Sequence, residues 1–167
     1  MRDQRLNERK FVITYLPEGL LRKKRSVCVR EGYLTVHNER QVHISDYGGQ
    51  YTMTIRQGKR LKVTEAEISL SDEQFNDLWP LTQHMRIEKS RYRIERLGYK
   101  LSVDVFRQHL EGLMLAAVEF DSEVDCRRFL APDFTDFEVT HRREYQNEQL
   151  ARLGMPDTFA KASMSMV

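Results

Sequence analysis

Lys89, Arg91 and Arg93 stand at alternate positions in the chain, as do Glu8 and Lys10, and Glu65 and Glu67. On a β-strand, residues two apart share a face, so each set would present its charges in one direction. Asp104 shares a face with Ser102 and Phe106, and Glu119 with Leu113, Leu115 and Ala117. Glu119 is the sole charge between Gly112 and Phe120, a stretch apolar on both faces, as a central buried strand is. A carboxylate in such a strand is costly unless a cation meets it, either Lys or Arg or a metal ion. Sets of carboxylate oxygens suit Mg²⁺ or Mn²⁺. Clustered Arg and Lys suit phosphate oxygens, which accept bidentate guanidinium contacts. A barrel with these faces turned inward would gather Glu8, Glu65, Glu67, Asp104 and Glu119 among Lys10, Arg56, Lys62 or Arg60, Lys89, Arg91 and Arg93. That is a site for a metal-complexed polyanion. Two plainer readings stand beside it: a solvated sheet face for Lys89, Arg91 and Arg93, and a core of ion pairs that neutralise one another.

The elements that must position these residues are mostly strands. Strands are expected over 6–14, 27–37, 41–45, 51–57, 62–69, 87–96, 100–106 and 113–120, from alternation and β-branched or aromatic content. Asp46-Tyr47-Gly48-Gly49 reads as a hairpin turn, Gly58-Lys59 as another, and Leu97-Gly98 as a third. A short helix fits 18–25. Ser71 reads as the N-cap of a helix to about 79, and Asp121 or Ser122 as the cap of one to about 130. A final helix is expected over 142–153, stopped by Gly154. Eight sequential strands with late helices favour an α+β class, an eight-stranded antiparallel barrel or tunnel with flanking helices, over a βαβ fold. Neither GxGxxG nor a Walker-type loop is present.

The 167 residues fit one domain, expected over 1–154, with a flexible Met- and Ser-rich tail over 155–167. The 27 Lys and Arg against 25 Asp and Glu leave a net charge of +2, so charge must be read by position and not by sum. Double-stranded nucleic acid is not an expected partner, because the basic residues are expected to face inward. Cys28 and Cys126 lack metal-ligand spacing. No apolar stretch approaches the roughly 18 residues of a membrane span, and the opening residues lack a signal-peptide core. No membrane partner is expected, a cytoplasmic location is the default, and no oligomeric state is read.

Six segments, in order, resemble one family. Glu8-Arg9-Lys10-Phe11-Val12 resembles the end of the EIERKFLV signature of CYTH domains, also called triphosphate tunnel metalloenzymes. Residues 29–34 (VREGYL) are similar to its IRQGYL, 51–56 (YTMTIR) to its YLTIK, and 87–93 (IEKSRYR) to its IEKTRYRV. Residues 103–106 with 112–119 resemble its VDVF and GLVLAEVE, and Val139-Thr140, Tyr145, Asn147 and Leu150-Ala151 its EVT and RYSNSNLA. The resemblance implies an eight-stranded antiparallel tunnel that binds a triphosphate group, with Mg²⁺ or Mn²⁺ as cofactor. It implies phosphate binding by Lys10, Arg56, Lys89, Arg91 and Arg93, to which the charge pattern adds Lys62, with Lys10 and Arg56 also expected to serve catalysis. Glu8, Asp104 and Glu119 would hold metal, and Glu65, Glu67 and His43 would support the site.

The chain departs from that pattern at named places. Leu6, Val63, Ser102 and Ala117 stand where the family carries acids, and His43 and Ser45 where it carries an Arg-x-Arg pair. A protonated His43 can still bind phosphate, and an ordinary strand histidine is the plainer reading. The resemblance therefore implies a metal-dependent hydrolase of inorganic tripolyphosphate or a nucleoside triphosphate. The missing acids leave open a polyphosphate- or nucleotide-binding module without catalysis, and the family's range includes cyclisation of ATP.

Overall fold

The computed structural model describes residues 7–59 and 62–159, with the side chains of Asn7, Lys59 and Lys62 not described. Leu6, Arg60, the Lys62 side chain and residues 160–167 of the expected tail therefore lie outside the described residues. Among the described residues nine strands form one antiparallel sheet: β1 (Asn7–Val12), β2 (Ser26–His37), β3 (Arg40–Tyr47), β4 (Gln50–Lys59), β5 (Lys62–Leu70), β6 (Arg86–Arg96), β7 (Tyr99–Phe106), β8 (Met114–Phe120) and β9 (Phe137–Glu138). Their spatial order is β5-β4-β3-β2-β6-β7-β8-β1-β9. The eight expected strands are all present, and the two-residue β9 is added beside β1. The sheet is not closed by hydrogen bonds: β5 and β9 are its edges.

Three hairpins turn on two residues with positive φ: Asn38-Glu39, Gly48-Gly49 and Leu97-Gly98. That geometry matches the strand twist. The expected turn at Gly58-Lys59 is instead part of β4, with Gly58 opposite Val63. The expected helix over 18–25 is a run of turns. Gly19 and Lys23 have φ of 83° and 61°, and the backbone bonds run three residues back, Leu20 to Pro17 and Arg22 to Gly19.

Helix α1 (Asp72–Leu78) carries the Ser71 cap in reciprocal bonds with Gln74, and α2 (Glu123–Arg128) the Ser122 cap. The expected final helix is split. A 3₁₀ turn at Arg143–Tyr145 leads through extended Gln146 into α3 (Asn147–Leu153), which Gly154 ends at φ 80°. A continuous helix would set Tyr145 and Leu150 on different sides. The break lets both lie fully buried in one core cluster.

Two cores follow. On one face of β1, β6, β7 and β8, Phe11, Ile94, Leu101, Val103, Ala116 and Val118 pack under Phe129 and Phe134. On the other face, Val12, Tyr33, Ile87, Phe106 and Leu115 pack against Leu110, Leu113, Tyr145, Leu150 and Phe159. Residues 155–159 thus join the core, and the Thr158 hydroxyl meets the Tyr145 hydroxyl at 2.9 Å. Packing therefore continues past the expected boundary at 154. Among the described residues no helix is long and apolar enough to cross a membrane.

Candidate functional site

Strand register decides which charges share a face. Glu8 is opposite Glu119 and Lys10 opposite Ala117. Ala117 is opposite Ser102, and Asp104 opposite Leu115. Arg91 is opposite Asp104 and Arg93 opposite Ser102. Through β2 the same face continues with Val27, Val29, Glu31 and Tyr33, then His43, Ser45 and Tyr47 on β3. It ends with Thr54 and Arg56 on β4, opposite Glu67 and Glu65 on β5. The candidate positions on seven strands, β1 and β3 to β8, therefore lie on one face, with one exception: Lys62, opposite Lys59 and out of step with Glu65 and Glu67, takes the other face, which corrects its expected place among the phosphate-binding residues.

That face grades from apolar to charged along its strands. On β6, Ile87 is fully buried, Lys89 is 3% exposed and Arg93 is exposed. On β8, Leu115 is buried and Glu119 exposed. The polar end opens into a cleft of about 800 Å³ whose lining includes Glu8, Arg91, Arg93, Ser102, Ala117 and Glu119.

Asp104 organises the buried part. One oxygen takes the Lys89 ammonium at 2.7 Å, and Arg91 donates from Nε at 2.7 Å and from Nη2 at 2.8 Å. The Lys89 ammonium also lies 5.1 Å from the Phe106 ring centre. Burial, the largest single influence on Asp104, pushes its carboxyl up. The Lys89 charge and the Arg91 hydrogen bonds and charge outweigh it and bring the pKa down to about 2. The same hydrogen bonds raise Arg91, against an opposing effect of burial.

This geometry corrects the expected metal set of Glu8, Asp104 and Glu119. Asp104 pairs with Leu115, four residues from Glu119, which is roughly 13 Å along the strand. Its oxygens already face two cations. Among the described residues no three of His, Cys, Asp and Glu come together to hold a metal ion. Glu8 and Glu119 remain, directly opposite each other, with the Lys10 ammonium 3.6 Å from Glu8. Like charges across a strand pair repel, and a cation between them removes the repulsion.

The β3–β5 side is looser. Arg56 is opposite Glu65, yet no ion pair within 4 Å joins them, and Glu65 and Glu67 are exposed on the edge strand. Ser45 and Thr52 share a hydroxyl bond of 2.8 Å. The His43 ring packs 5.2 Å from that of Tyr33, with its Nδ1 buried and unpartnered. Sequence reasoning missed two members of this face. Glu31 accepts a hydrogen bond from the Tyr33 hydroxyl and lies 3.4 Å from the Asn147 amide. Tyr33 itself is pushed well above the usual phenol range, by burial first and then by Glu31. Tyr47 accepts a hydrogen bond from Arg93 at 3.2 Å. Alternation along β2 from Tyr33, and along β3 from His43, carries the signal for both.

No family model matches the chain. An inorganic triphosphatase of Nitrosomonas europaea is 38% identical over 146 residues, spanning 86% of this chain and 95% of that protein. One from Acetivibrio thermocellus is 26% identical over 147 residues, spanning 87% and 92%. A solved structure of an inorganic triphosphatase superposes with a TM-score of 0.71 at 36% identity, over 87% of this chain and 93% of that one. The chain belongs to the CYTH family. The cleft beside Arg93 and Glu119 opens on the charged face of this sheet.

Proposed function

We propose that this CYTH protein is a metal-dependent triphosphatase that cleaves a phosphoanhydride of inorganic tripolyphosphate, and of nucleoside triphosphates by the same chemistry. The observation that carries this reading is the gathering of Lys10, Arg56, Lys89, Arg91 and Arg93 with the opposed Glu8–Glu119 pair on one face. It is supported by 38% identity to an inorganic triphosphatase across most of both chains.

Lys10, Arg56, Arg91 and Arg93 bind the polyanion, and Lys10 and Arg56 also stabilise charge on the phosphoryl group being transferred. Catalysis of this kind is chiefly positioning and electrostatics. Asp104 holds Lys89 and Arg91 in place before substrate arrives, so their reorganisation is not part of the reaction. The opposed Glu8 and Glu119 fit one divalent ion, Mg²⁺ or Mn²⁺, which when bound supplies neutralising charge at phosphoryl oxygens. Asp104 does not join that set. Glu65 and Glu67 support Arg56 from the edge strand, and Lys62, on the other face of that strand, is left out of the site. His43 is assigned to the wall, through its ring contact with Tyr33.

A second reading, a binding module without catalysis, is favoured by Val63, Ser102 and Ala117 at expected acid positions. Phosphate release from tripolyphosphate and ATP, with Mg²⁺ and with Mn²⁺, separates the two. Turnover is expected, and it falls at least 100-fold in Lys10→Ala and Arg56→Ala, on the scale of a lost transition-state donor. Calorimetric binding of tripolyphosphate without turnover establishes the module instead.

A further inference from the structure

The inner row of β3 is His43, Ser45 and Tyr47. It carries neither Lys nor Arg, although it forms part of the wall of an anion site. Ser45 spends its hydroxyl on Thr52 at 2.8 Å, and the His43 Nδ1 is buried. Tyr47 differs from both. Its oxygen accepts from Arg93 Nη2 at 3.2 Å, so its own O–H remains to be given. Among the described residues no acceptor takes that proton. Arg93 lines the cleft together with Arg91, so this hydrogen bond puts the phenol at the cleft's cationic edge.

The surroundings fix it there. Between β3 and β6, strand β2 presents Val27 and Val29, opposite Arg91 and Lys89, and Val29 also opposes Tyr47. Neither valine competes for the hydroxyl, and an apolar neighbour strengthens a hydrogen bond beside it. Behind Tyr47 the backbone is pinned. Asp46 accepts the Gly49 N–H at 2.8 Å and is held on the opposite face by Arg30 at 2.7 and 3.0 Å. A side chain at Gly48 would come within 2.9 Å of Val27 Cγ1, so the turn sits tight against β2.

We infer that Tyr47 is a further substrate-contacting residue, its hydroxyl donating to an oxygen of the phosphoryl group that Arg91 and Arg93 hold. This rests on the proposed triphosphate site and adds a neutral donor to it. By accepting from Arg93, the hydroxyl orients that guanidinium; by donating to the anion, it completes a chain from cation through phenol to phosphate. A neutral donor of fixed direction discriminates by geometry, whereas a further cation would attract any anion.

The test is steady-state hydrolysis of inorganic tripolyphosphate by the full chain and by Tyr47→Phe, with calorimetric binding of tripolyphosphate to each. Loss of a hydrogen bond to a charged group predicts a rise in KM and Kd of roughly tenfold, with kcat changed less than KM. The melting temperature stays level, because the ring is retained. In an Arg93→Lys background the same change has a smaller effect, since the two groups act together. Equal KM and Kd for Tyr47→Phe and the native chain overturn the assignment. So does a defect that appears only in Tyr47→Leu, which would trace to the ring. A native chain that neither binds nor cleaves tripolyphosphate overturns the parent reading along with this one, whereas an active native chain with an unaltered Tyr47→Phe overturns Tyr47 alone.

Discussion

The two walls of the charged face solve the same problem differently. On β6 and β7 a buried Lys89 and a half-buried Arg91 are answered: both close on buried Asp104, and Phe106 backs the ammonium. On β3, β4 and β5 no buried ion pair forms: there are a Ser45–Thr52 hydroxyl bond, a packed His43, and a half-buried Arg56 opposite an exposed Glu65 with no ion pair between them. Burial is what separates them. A charge out of water must be paired to persist, so the first wall is rigid before any ligand arrives. The second wall keeps solvated charge and takes its order from backbone turns. The difference teaches that a polyanion site needs only part of its charge fixed in advance, and that this part lies where the core is deepest.

Breaking the first wall gives the largest effect. Asp104→Asn leaves Lys89 buried beside a neutral amide, with Arg91 deprived of its carboxylate. Loss of one partner from a buried pair costs about 3–5 kcal/mol, which for a chain of this size lowers Tm by roughly 10 °C. Calorimetric or dichroic melting at neutral pH measures it. A variant melting within about 2 °C of the native chain would mean that solvent reaches the pair and that the walls do not differ.

The same pair sets an acid limit. Because the Asp104 carboxyl is held down at about 2, against an ordinary 3.8, folding gains from its ionisation above about pH 4. That gain is lost as pH falls from about 4 through 2. At 1.36 kcal/mol per unit the shift is worth about 2 kcal/mol. Denaturant midpoints followed between pH 5 and pH 2 fall in the native chain, and the part of the fall below pH 4 is reduced in Asp104→Asn. Parallel curves for the two proteins would assign the acid sensitivity to other carboxylates.

How much of this was legible follows the same division. The convergence of charges was readable because side-chain alternation on strands is strict, so Lys89, Arg91 and Arg93 share a face whatever lies beside them. Register was not readable. It is set by turns and neighbouring strands, and it places Asp104 opposite Leu115, well away from Glu119. The turn at 46–49 was read two residues too wide. Tyr47 belongs to β3, opposite Gln50, and only Gly48 and Gly49 make the bend. That misplacement hid the one residue of the β3 row that touches a cleft cation. The split before α3 was equally hidden, since it answers to the separate burial of Tyr145 and Leu150 and not to any local breaker. Asn147, just past the break, meets Glu31 on β2, a contact no local pattern encodes.

The smallest effect probes the second wall. His43 presents a buried ring nitrogen that gives and receives no hydrogen bond, while its ring lies against Tyr33. Phenylalanine keeps that ring contact and removes an unanswered polar atom, and replacement of such a group by an apolar one of similar shape is neutral or favourable. His43→Phe is therefore expected to unfold at the native denaturant concentration or slightly above it, by no more than about 1 kcal/mol. Urea titration with both proteins at neutral pH resolves a change of that size. A loss comparable to that of Asp104→Asn would show that His43 is anchored as firmly as the cations of β6, and the contrast between the walls would then lie in charge alone, not in how tightly each is held.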